Sequence, residues 1–407
     1  MALASTSLVQ IRFIAENPLT PGTTPTTGQN YDLRVTGESF DFAIQKEISK
    51  EINANRVTSS ESPVAASSTG GFQSELSYNE YDAILAALFQ SAWVAHGTLG
   101  VGAQATTMSS SATTLTQTGG TSWATLKKGQ WFLVDHPSTA NDGRLLRVST
   151  IAAAPTATVI NLDVSTPGAV YALTSGGAVR TSRLSHGTTQ ISFSFERQAT
   201  DVGQYMVYKG QTPSKLSLNT ASGSLSTMSV DFMGLGVARS NSTNLTGSTN
   251  NPSLAYGVHS SVSNPNLLIW EGGAPVAGTY VKTLALEFDN AMRQQNAIAS
   301  LAPVSIASGT IMAKATLSVY FANGTLFDKF LNNVQTSLIW ASLDSAGNGY
   351  VFTAPVANVS SYKVVAGSKD QDLMAEVTMT LLADQSNTDA TLRKVLFIDR
   401  VGVAVTR

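Results

Sequence analysis

Cysteine is absent from the 407-residue sequence, and charged residues make up only 13% of it. Without cysteine, the chain can have no disulfide, no thiolate zinc site and no cysteine nucleophile. Lys and Arg together number 25 and Asp and Glu 27, which gives a formal net charge of −2. The basic excess that marks most nucleic-acid-binding proteins is therefore missing. The lack of cysteine is also consistent with folding in a reducing cytoplasm.

Long apolar segments are lacking as well. The N-terminus has neither a basic segment nor a sustained apolar run, so we expect no secretory signal. The longest apolar stretch, residues 83–95, is interrupted by Gln90 and Ser91 and is too short to span a bilayer. These features predict a soluble protein that has no membrane partner.

Catalytic and cofactor motifs are also missing. The four histidines include no pair at the i, i+4 spacing of a helical metal site, and no phosphate-binding Gly-x-x-x-x-Gly-Lys-Ser/Thr loop occurs. Asp135-His136 is a poor candidate for part of a catalytic triad, because no Gly-x-Ser-x-Gly elbow accompanies it. We therefore expect no catalytic residue, no metal site, no cofactor and no enzyme activity.

Ser, Thr, Gly, Ala and Asn take the place of the missing charges. A sequence rich in β-branched residues and turn formers is typical of a β-rich fold. Low charge leaves little electrostatic repulsion between copies, which favours self-association.

The sequence contains an ordered series of internal similarities. Phe40-Asp41 aligns with Phe288-Asp289. Three more pairs follow in the same order: residues 72–79 with 316–323, 205–210 with 362–367, and 225–233 with 374–382. An ordered series of this kind predicts two copies of one strand–strand–helix–strand–strand unit.

A helix is predicted after the second strand of each copy, where apolar residues recur at helical spacing. Asn79 and Asn323 stand at the expected N-cap positions. The apolar residues are Tyr81, Ile84, Leu85, Leu88 and Phe89 in the first helix, and Phe327, Phe330, Leu331, Val334 and Leu338 in the second.

The two copies are spaced unequally, which predicts an insertion in the first. We expect a discontinuous first domain (1–95 and 187–238), an inserted β module (96–186), a linker (239–253) and a second domain (254–407). Trp123 and Trp131 of the inserted module either stack on a sugar ring or, as is commoner for tryptophan, lie in a core. Because the second domain lacks the module, we expect the module to lie on the outside and to be dispensable.

Several of these motifs resemble tail tube proteins of long-tailed bacteriophages. The resemblance is carried by residues 31–42 (Tyr-Asp-Leu-Arg-Val-Thr-Gly-Glu-Ser-Phe-Asp-Phe) and residues 50–56 (Lys-Glu-Ile-Asn-Ala-Asn-Arg). In the inserted module, residues 129–132 (Gly-Gln-Trp-Phe) and 140–148 resemble a module found in some members of the family. The internal duplication resembles that of family members in which two tube domains are fused in one chain.

This resemblance implies a mainly β fold of sandwich or barrel type, with one helix per repeat. It also implies homotrimeric rings with pseudo-sixfold symmetry, stacked into a tube through which double-stranded DNA passes without specific binding. The implied partners are the tape measure and the tail tip or terminator proteins. The implied location is the virion tail, assembled in the host cytoplasm.

Alternating strands suggest which residues would face the lumen of such a tube. Small, neutral or acidic residues occupy one face of each strand, with Lys314 and Arg293 as exceptions. Such a wall would repel a phosphate backbone. The candidate lumen residues are Asp41, Glu75, Asp231, Asp289 and Glu376. An ordinary solvent-exposed face of an antiparallel sheet would show the same alternation.

Two long connections are candidates for contacts between rings. The first arm, residues 46–71, is too long and polar for a simple turn, and its counterpart, the second arm, spans about residues 294–309. The candidate contact residues are Lys46, Lys50 and Arg56 in the first arm, and Leu301, Val304 and Ile306 in the second.

Two other functional classes share some of these features with a structural tube protein. A secreted β-rich adhesin or carbohydrate-binding protein would have the same Ser, Thr and Gly bias, but it should carry a signal and no helix in each repeat. A hydrolase should show convergent ionisable groups, which the sequence does not reveal.

Overall fold

The computed structural model describes the whole chain except residues 1–4, 6–7, 53, 97–102, 105–106, 111–113, 119–125, 136–144, 154–156, 163–177, 255, 263–268, 277–279 and 403–407. The described part is mainly β with two short α-helices, which confirms the predicted mainly β fold class. Neither helix has the length and apolar character needed to cross a membrane.

Strands far outnumber helices in the first half of the chain. Up to residue 96 the elements are β1 (Val9–Ala15), β2 (Gly28–Asp32), β3 (Gly37–Glu38), β4 (Asp41–Ile48), β5 (Glu61–Glu75), α1 (Asp82–Leu88) and β6 (Val94–His96). Residues 96–186, for which we keep the name inserted module, contain β7 (Ala103–Gln104), β8 (Thr107–Ser110), β9 (Thr114–Thr118), β10 (Trp131–Asp135), β11 (Leu145–Ala153), β12 (Ala157–Leu162) and β13 (Ala178–Ser185). Next come β14 (Phe193–Ala199), β15 (Gln204–Ala221), β16 (Thr227–Gly234), β17 (Gly236–Ser240) and β18 (Ser248–Asn251).

The second half of the chain contributes the remaining elements. Before the second helix these are β19 (Ile269–Glu271), β20 (Ala274–Pro275), β21 (Val281–Asp289), β22 (Arg293–Gln295), β23 (Ser305–Ala307) and β24 (Met312–Tyr320). After them come α2 (Thr325–Leu331), β25 (Thr336–Leu343), β26 (Gly349–Val365), β27 (Met374–Leu382), a 3₁₀ turn (Ala390–Leu392) and β28 (Phe397–Val401).

Eight strands form one continuous antiparallel sheet, which we call the long sheet. Its strand order is β4–β5–β16–β15–β21–β24–β27–β26, and the two-residue β3 pairs with β5 on the same side as β4. In the middle, β15 pairs with β21 from Lys215 opposite Asp289 to Ala221 opposite Thr283. We call this pairing the internal seam, because the strands on one side precede residue 235 and those on the other follow residue 280.

The two faces of the long sheet differ in polarity because side chains alternate along each strand. In β16, Met228, Val230 and Phe232 are buried, whereas Thr227 and Asp231 are exposed. Strands β21, β24 and β27 alternate in the same way. One face therefore covers the core, and the opposite one, which we call the polar face, points away from it.

A second layer of strands packs on the apolar face of the long sheet. Residues 204–211 of β15 pair with β14, and β14 pairs in turn with β1. In the second half of the chain, residues 349–357 of β26 pair with β25. Pro213 and Pro355 lie where these two long strands change partners and the strand register is irregular. Proline has no backbone N–H to donate, and such irregular positions tolerate its absence.

One hydrophobic cluster extends through both halves of the chain. Phe40 stacks on Phe195 with 4.7 Å between ring centroids, and Phe195 meets Phe232 edge-on at 4.9 Å. Across the internal seam, Phe89 stacks on Phe288 at 4.4 Å. Strand pairing and side-chain packing therefore both join the two halves.

The order strand, strand, helix, strand, strand occurs in both halves, but the predicted alignment of the second strand is wrong by one residue. Asp41 pairs with Thr69, and Asp289 pairs with Met312. With Asp41 and Asp289 aligned, residue 72 therefore corresponds to residue 315. Alternation repeats every two residues, so short strand motifs do not fix the register.

The predicted alignment of residues 205–210 with 362–367 is also wrong. Residues 205–208 pair with β14 in the second layer. Residues 362–365 pair with β27 in the long sheet. The two segments lie in different parts of their long strands, and a shared Tyr and Gly did not mark equivalent positions.

Both predicted helices exist, although their ends differ from the prediction. Tyr81 precedes α1 without a side-chain cap, and Asn79 instead adopts a left-handed φ of 61°. Asn323 is closer to its predicted role, because its Oδ1 accepts a hydrogen bond from the Thr325 N–H at the start of α2. Leu338 lies in β25 and not in the second helix.

The inserted module has a small core of its own, which includes Leu115, Phe132 and Leu146. Trp131 is completely buried and meets Trp270 of β19 edge-on at 5.6 Å. Trp131 is therefore a core residue and offers no exposed ring face to a sugar. Trp123 lies outside the described residues.

Candidate functional site: open sheet edges, a polar face and two arms

The long sheet ends in two open edges. Within the part of the chain that the structure describes, β4 pairs with no strand other than β5. At the opposite end, residues 358–365 of β26 pair only with β27 among the described strands. An open edge presents unpaired backbone N–H and C=O groups and is a template for pairing with another chain.

The internal seam shows how two such edges pair. β21 is the first strand of its four-stranded set, and in the other set β4 has this place together with the two-residue β3, which also pairs with β5. β15 is a long strand that bends from the second layer into the long sheet, as β26 does. The internal seam thus joins one edge of the β26 type to one edge of the β4 type, and one edge of each type is left open.

The five candidate lumen residues all lie on the polar face. Lys215 of β15 stands between two of them, opposite Asp231 on one side and Asp289 on the other. Partial burial and nearby Asp289 raise the pKa of Asp231, while Lys215 acts in the opposite direction. Glu376 lies opposite Lys363 and Ser318 at the far end of the sheet.

Sequence reasoning missed the ion pairs at the centre of the polar face. The Glu287 carboxylate lies 3.2 Å from Lys215 Nζ and 3.1 Å from Lys314 Nζ. Partial burial raises the pKa of Glu287, but hydrogen bonds from both lysines hold it below its usual value. The sequence patterns did not assign the second half of β15 to this sheet, so the pairing that brings Lys215 beside Glu287 could not be foreseen.

Carboxylates outnumber lysines on the polar face. The carboxylates are Asp41, Glu75, Asp231, Glu287, Asp289 and Glu376, and the lysines paired among them are Lys215, Lys314 and Lys363. The face is therefore acidic, and such a surface repels polyanions more than it binds them.

Both arms are hairpins that extend beyond the long sheet. In the first arm, Lys46 of β4 pairs with Glu61 of β5 at 3.1 Å, so this candidate contact residue has a partner within its own chain. Lys50 and Arg56 lie in the exposed loop beyond the paired strands. The second arm forms the short hairpin of β22 and β23.

The second arm is less available for contacts than its sequence predicts. Leu301 and Val304 are 43% and 53% exposed, but Ile306 is only 6% exposed and is buried within its own chain. The Leu301 carbonyl accepts a hydrogen bond from the Ala66 N–H at 2.7 Å, which joins the two arms. Alternation in β23 turns Ile306 inward, and its neighbours on the opposite strand could not be known from sequence.

The ionisable groups Tyr350, Asp82, Arg400 and His259 inside the fold have structural explanations. Tyr350 donates a hydrogen bond to Asp82 at 2.5 Å, and Arg400 pairs with the same carboxylate. Burial lowers the pKa of His259 to about 3. Among the described residues, no three His, Asp or Glu side chains cluster as a metal site would require. His136 lies outside the described residues.

Comparison of the chain with known proteins bears on its function. No curated protein matches the chain. A family model described as phage tail tube protein matches residues 6–381, which is nearly the whole sequence. The chain therefore belongs to the phage tail tube protein family.

Proposed function

We propose that this protein is a structural virion component that assembles into stacked rings, forming the tail tube through which DNA is ejected. Its family is structural and is not a class of enzymes. The proposal rests on the long sheet. At its internal seam an edge of the β26 type pairs with an edge of the β4 type, and the sheet ends in one open edge of each type. Assembly closes these edges, as the internal seam already does within the chain.

Ring closure follows from the arrangement of the long sheet. An edge of the β26 type on one copy pairs with the β4 edge of the next, in the manner of β15 with β21. A contact between two different edges is heterologous, and it forms a ring when the rotation closes. Each chain supplies two four-stranded units, which we take to be duplicated tube domains. Three chains therefore provide six units and give a trimer with pseudo-sixfold symmetry.

The polar face lines the lumen in this arrangement. Asp41, Glu75, Asp231, Asp289 and Glu376 then form acidic positions along an inner wall on which carboxylates outnumber lysines. Tight binding of DNA requires Lys and Arg at the phosphates. Passing double-stranded DNA therefore meets a wall that does not hold it.

The two arms extend the rings along the tube axis. The first arm carries Lys50 and Arg56 in its loop, and the second carries exposed Leu301 and Val304. We assign these residues to contacts between stacked rings. The partners are further copies of this chain, the tape measure protein inside the tube and the tail tip or terminator proteins at its ends. Assembly takes place in the host cytoplasm and the product is part of the virion tail.

Electron microscopy of the purified full-length chain tests the proposal. Negative-stain images of concentrated protein should show rings and tubes with a central channel. Isolated compact particles at every concentration would contradict it. The inserted module should appear as density outside the tube wall, because a module inside the lumen would obstruct DNA.

A further inference from the structure

Helix α1 covers the internal seam. Its C-terminal end lies against the strand across the seam: the Leu88 carbonyl accepts a hydrogen bond from Asn290 Nδ2 at 2.6 Å. Phe89, the next residue, stacks on Phe288 with 4.4 Å between centroids and 11° between ring planes. Gln90 reaches Met292, which is only 7% exposed. The end of α1 and the two residues after it therefore cover the apolar side of the seam around Phe288.

Helix α2 occupies the corresponding place beside the open edge of β26. The Phe327 ring lies 5.3 Å from the Tyr362 ring of β26, and Asn333 Oδ1 accepts a hydrogen bond from Asn358 Nδ2 at 2.7 Å. Both helices have seven residues. Each is followed by a non-glycine residue in the left-handed region, Gln90 with φ 52° and Asn333 with φ 50°.

The two helices differ sharply in exposure. Five of the seven residues of α1 are buried, whereas Leu326 is the one buried residue of α2. On the outer side of α2, Phe327 is 39% exposed and Leu331 is 62% exposed. Val334, just after the helix, is 46% exposed. Apolar residues that neighbour one another at an open edge, with the equivalent residues covered elsewhere in the same molecule, indicate a missing neighbour.

The other open edge carries apolar residues at the matching positions. With Asp41 aligned on Asp289, Phe42 corresponds to Asn290 and Ile44 to Met292. Those are two of the three positions across the seam that the end of α1 contacts. The third, Phe288, corresponds to Phe40, which is buried within its own chain. On β4, Ile44 is 48% exposed and Phe42 is partly exposed. Each open edge therefore exposes apolar side chains, and on β4 these stand at positions whose counterparts at the internal seam, Asn290 and Met292, are buried.

We propose that α2 of one copy packs over β4 of the next copy, with Leu331 against Phe42 and Ile44. The occupant of the exposed α2 face is thus a second copy of this chain. This inference rests on the proposed ring assembly and specifies the side chains that seal each contact between subunits. Each ring then contains six such helix-covered seams, three within chains and three between them.

Cysteine cross-linking tests this contact directly, since the chain has no cysteine of its own. The double variant L331C/I44C, assembled and treated with a short bismaleimide, should give covalent dimers and trimers on denaturing gels. The single variants L331C and I44C should give none. L331C/L19C is the matched control, because Leu19 is 89% exposed and belongs to neither edge strand.

The outcomes separate this inference from the proposed function. Rings in the microscope without cross-linked product from L331C/I44C would overturn the inference and leave the tube function standing. Failure of the wild-type chain to form rings would overturn both. Leu331→Asp gives a second readout: it should remain a folded monomer, whereas Leu19→Asp should assemble normally. Normal ring assembly by Leu331→Asp would also overturn the inference.

Discussion

Arg183 and Asp399 form a buried, bidentate ion pair, in which Nε–Oδ1 and Nη2–Oδ2 are both 2.7 Å apart. The Asp399 carboxylate also accepts the Trp131 backbone N–H at 3.0 Å. Arg183 and Trp131 belong to the inserted module, and Asp399 belongs to β28 at the other end of the sequence. This pair therefore anchors the inserted module to the second half of the chain.

Breaking this ion pair should destabilise the fold strongly. Arg183→Met leaves the Asp399 charge buried without its partner, which costs about 3–5 kcal/mol in the free energy of unfolding. Lys46→Met is the control, because both members of the Lys46–Glu61 pair are about half exposed and such pairs contribute less than ~1 kcal/mol. Urea denaturation at pH 7 measures both variants. Equal losses would contradict the anchoring role of Arg183.

The effect of removing the inserted module on the stability of the fold should depend on which residues are removed. Replacing residues 96–186 with a short turn deletes β13, which pairs with β28 and supplies Arg183. We expect this variant to fold poorly, which revises the expectation from sequence that the whole module is dispensable. A replacement of residues 97–177 keeps β6 and β13 and should be the more stable of the two in thermal unfolding. If the longer excision proved as stable as the shorter one, β13 would not be part of the main fold.

Stability should fall in mild acid because of His259. Burial lowers its pKa to about 3 in the folded chain, from an ordinary value of 6.5. The unfolded chain therefore takes up the proton first, and stability is lost as the pH falls from about 6.5 towards 3, by up to ~1.4 kcal/mol per pH unit. His259→Asn should flatten this dependence relative to wild type in urea denaturation at several pH values. An unchanged slope would contradict the assignment.

The loop of the first arm should matter for stacking and not for folding. The Ser49 N–H donates to the Ser60 carbonyl at 2.9 Å, so these residues already face each other across the hairpin. Replacing residues 50–59 with Asn-Gly should close the hairpin with a two-residue turn. We expect rings that no longer stack, because Lys50 and Arg56 are removed. Sedimentation and microscopy would show this, and tubes of normal length would argue against a role for the loop.

The sequence was sufficient to predict the strands and helices whose side chains alternate regularly. Met228, Val230 and Phe232 have the period of a half-buried strand, and the structure buries all three. The apolar spacing from Ile84 to Leu88 likewise predicted the buried face of α1. Such local patterns depend only on backbone geometry, which the sequence expresses directly.

Long-range pairing was beyond the reach of these patterns. The internal seam brings Lys215 beside Glu287, but the sequence of neither strand indicates which other strand it pairs with. Periodicity predicted that Leu331 belongs to an apolar helix face, but it could not tell a face covered within the chain from one left exposed. Likewise Trp131 could be placed in a core only after its neighbour Trp270 was known.

The number of chains in one ring tests the central claim most directly. Native mass spectrometry of rings from the full-length protein, prevented from stacking by the loop replacement at residues 50–59, gives this number. Three times the 42.7 kDa chain mass is expected, corrected for the shorter loop, because each chain supplies two four-stranded units to the closed sheet. A ring of six chains would contradict the account, since it would require twelve units around the tube.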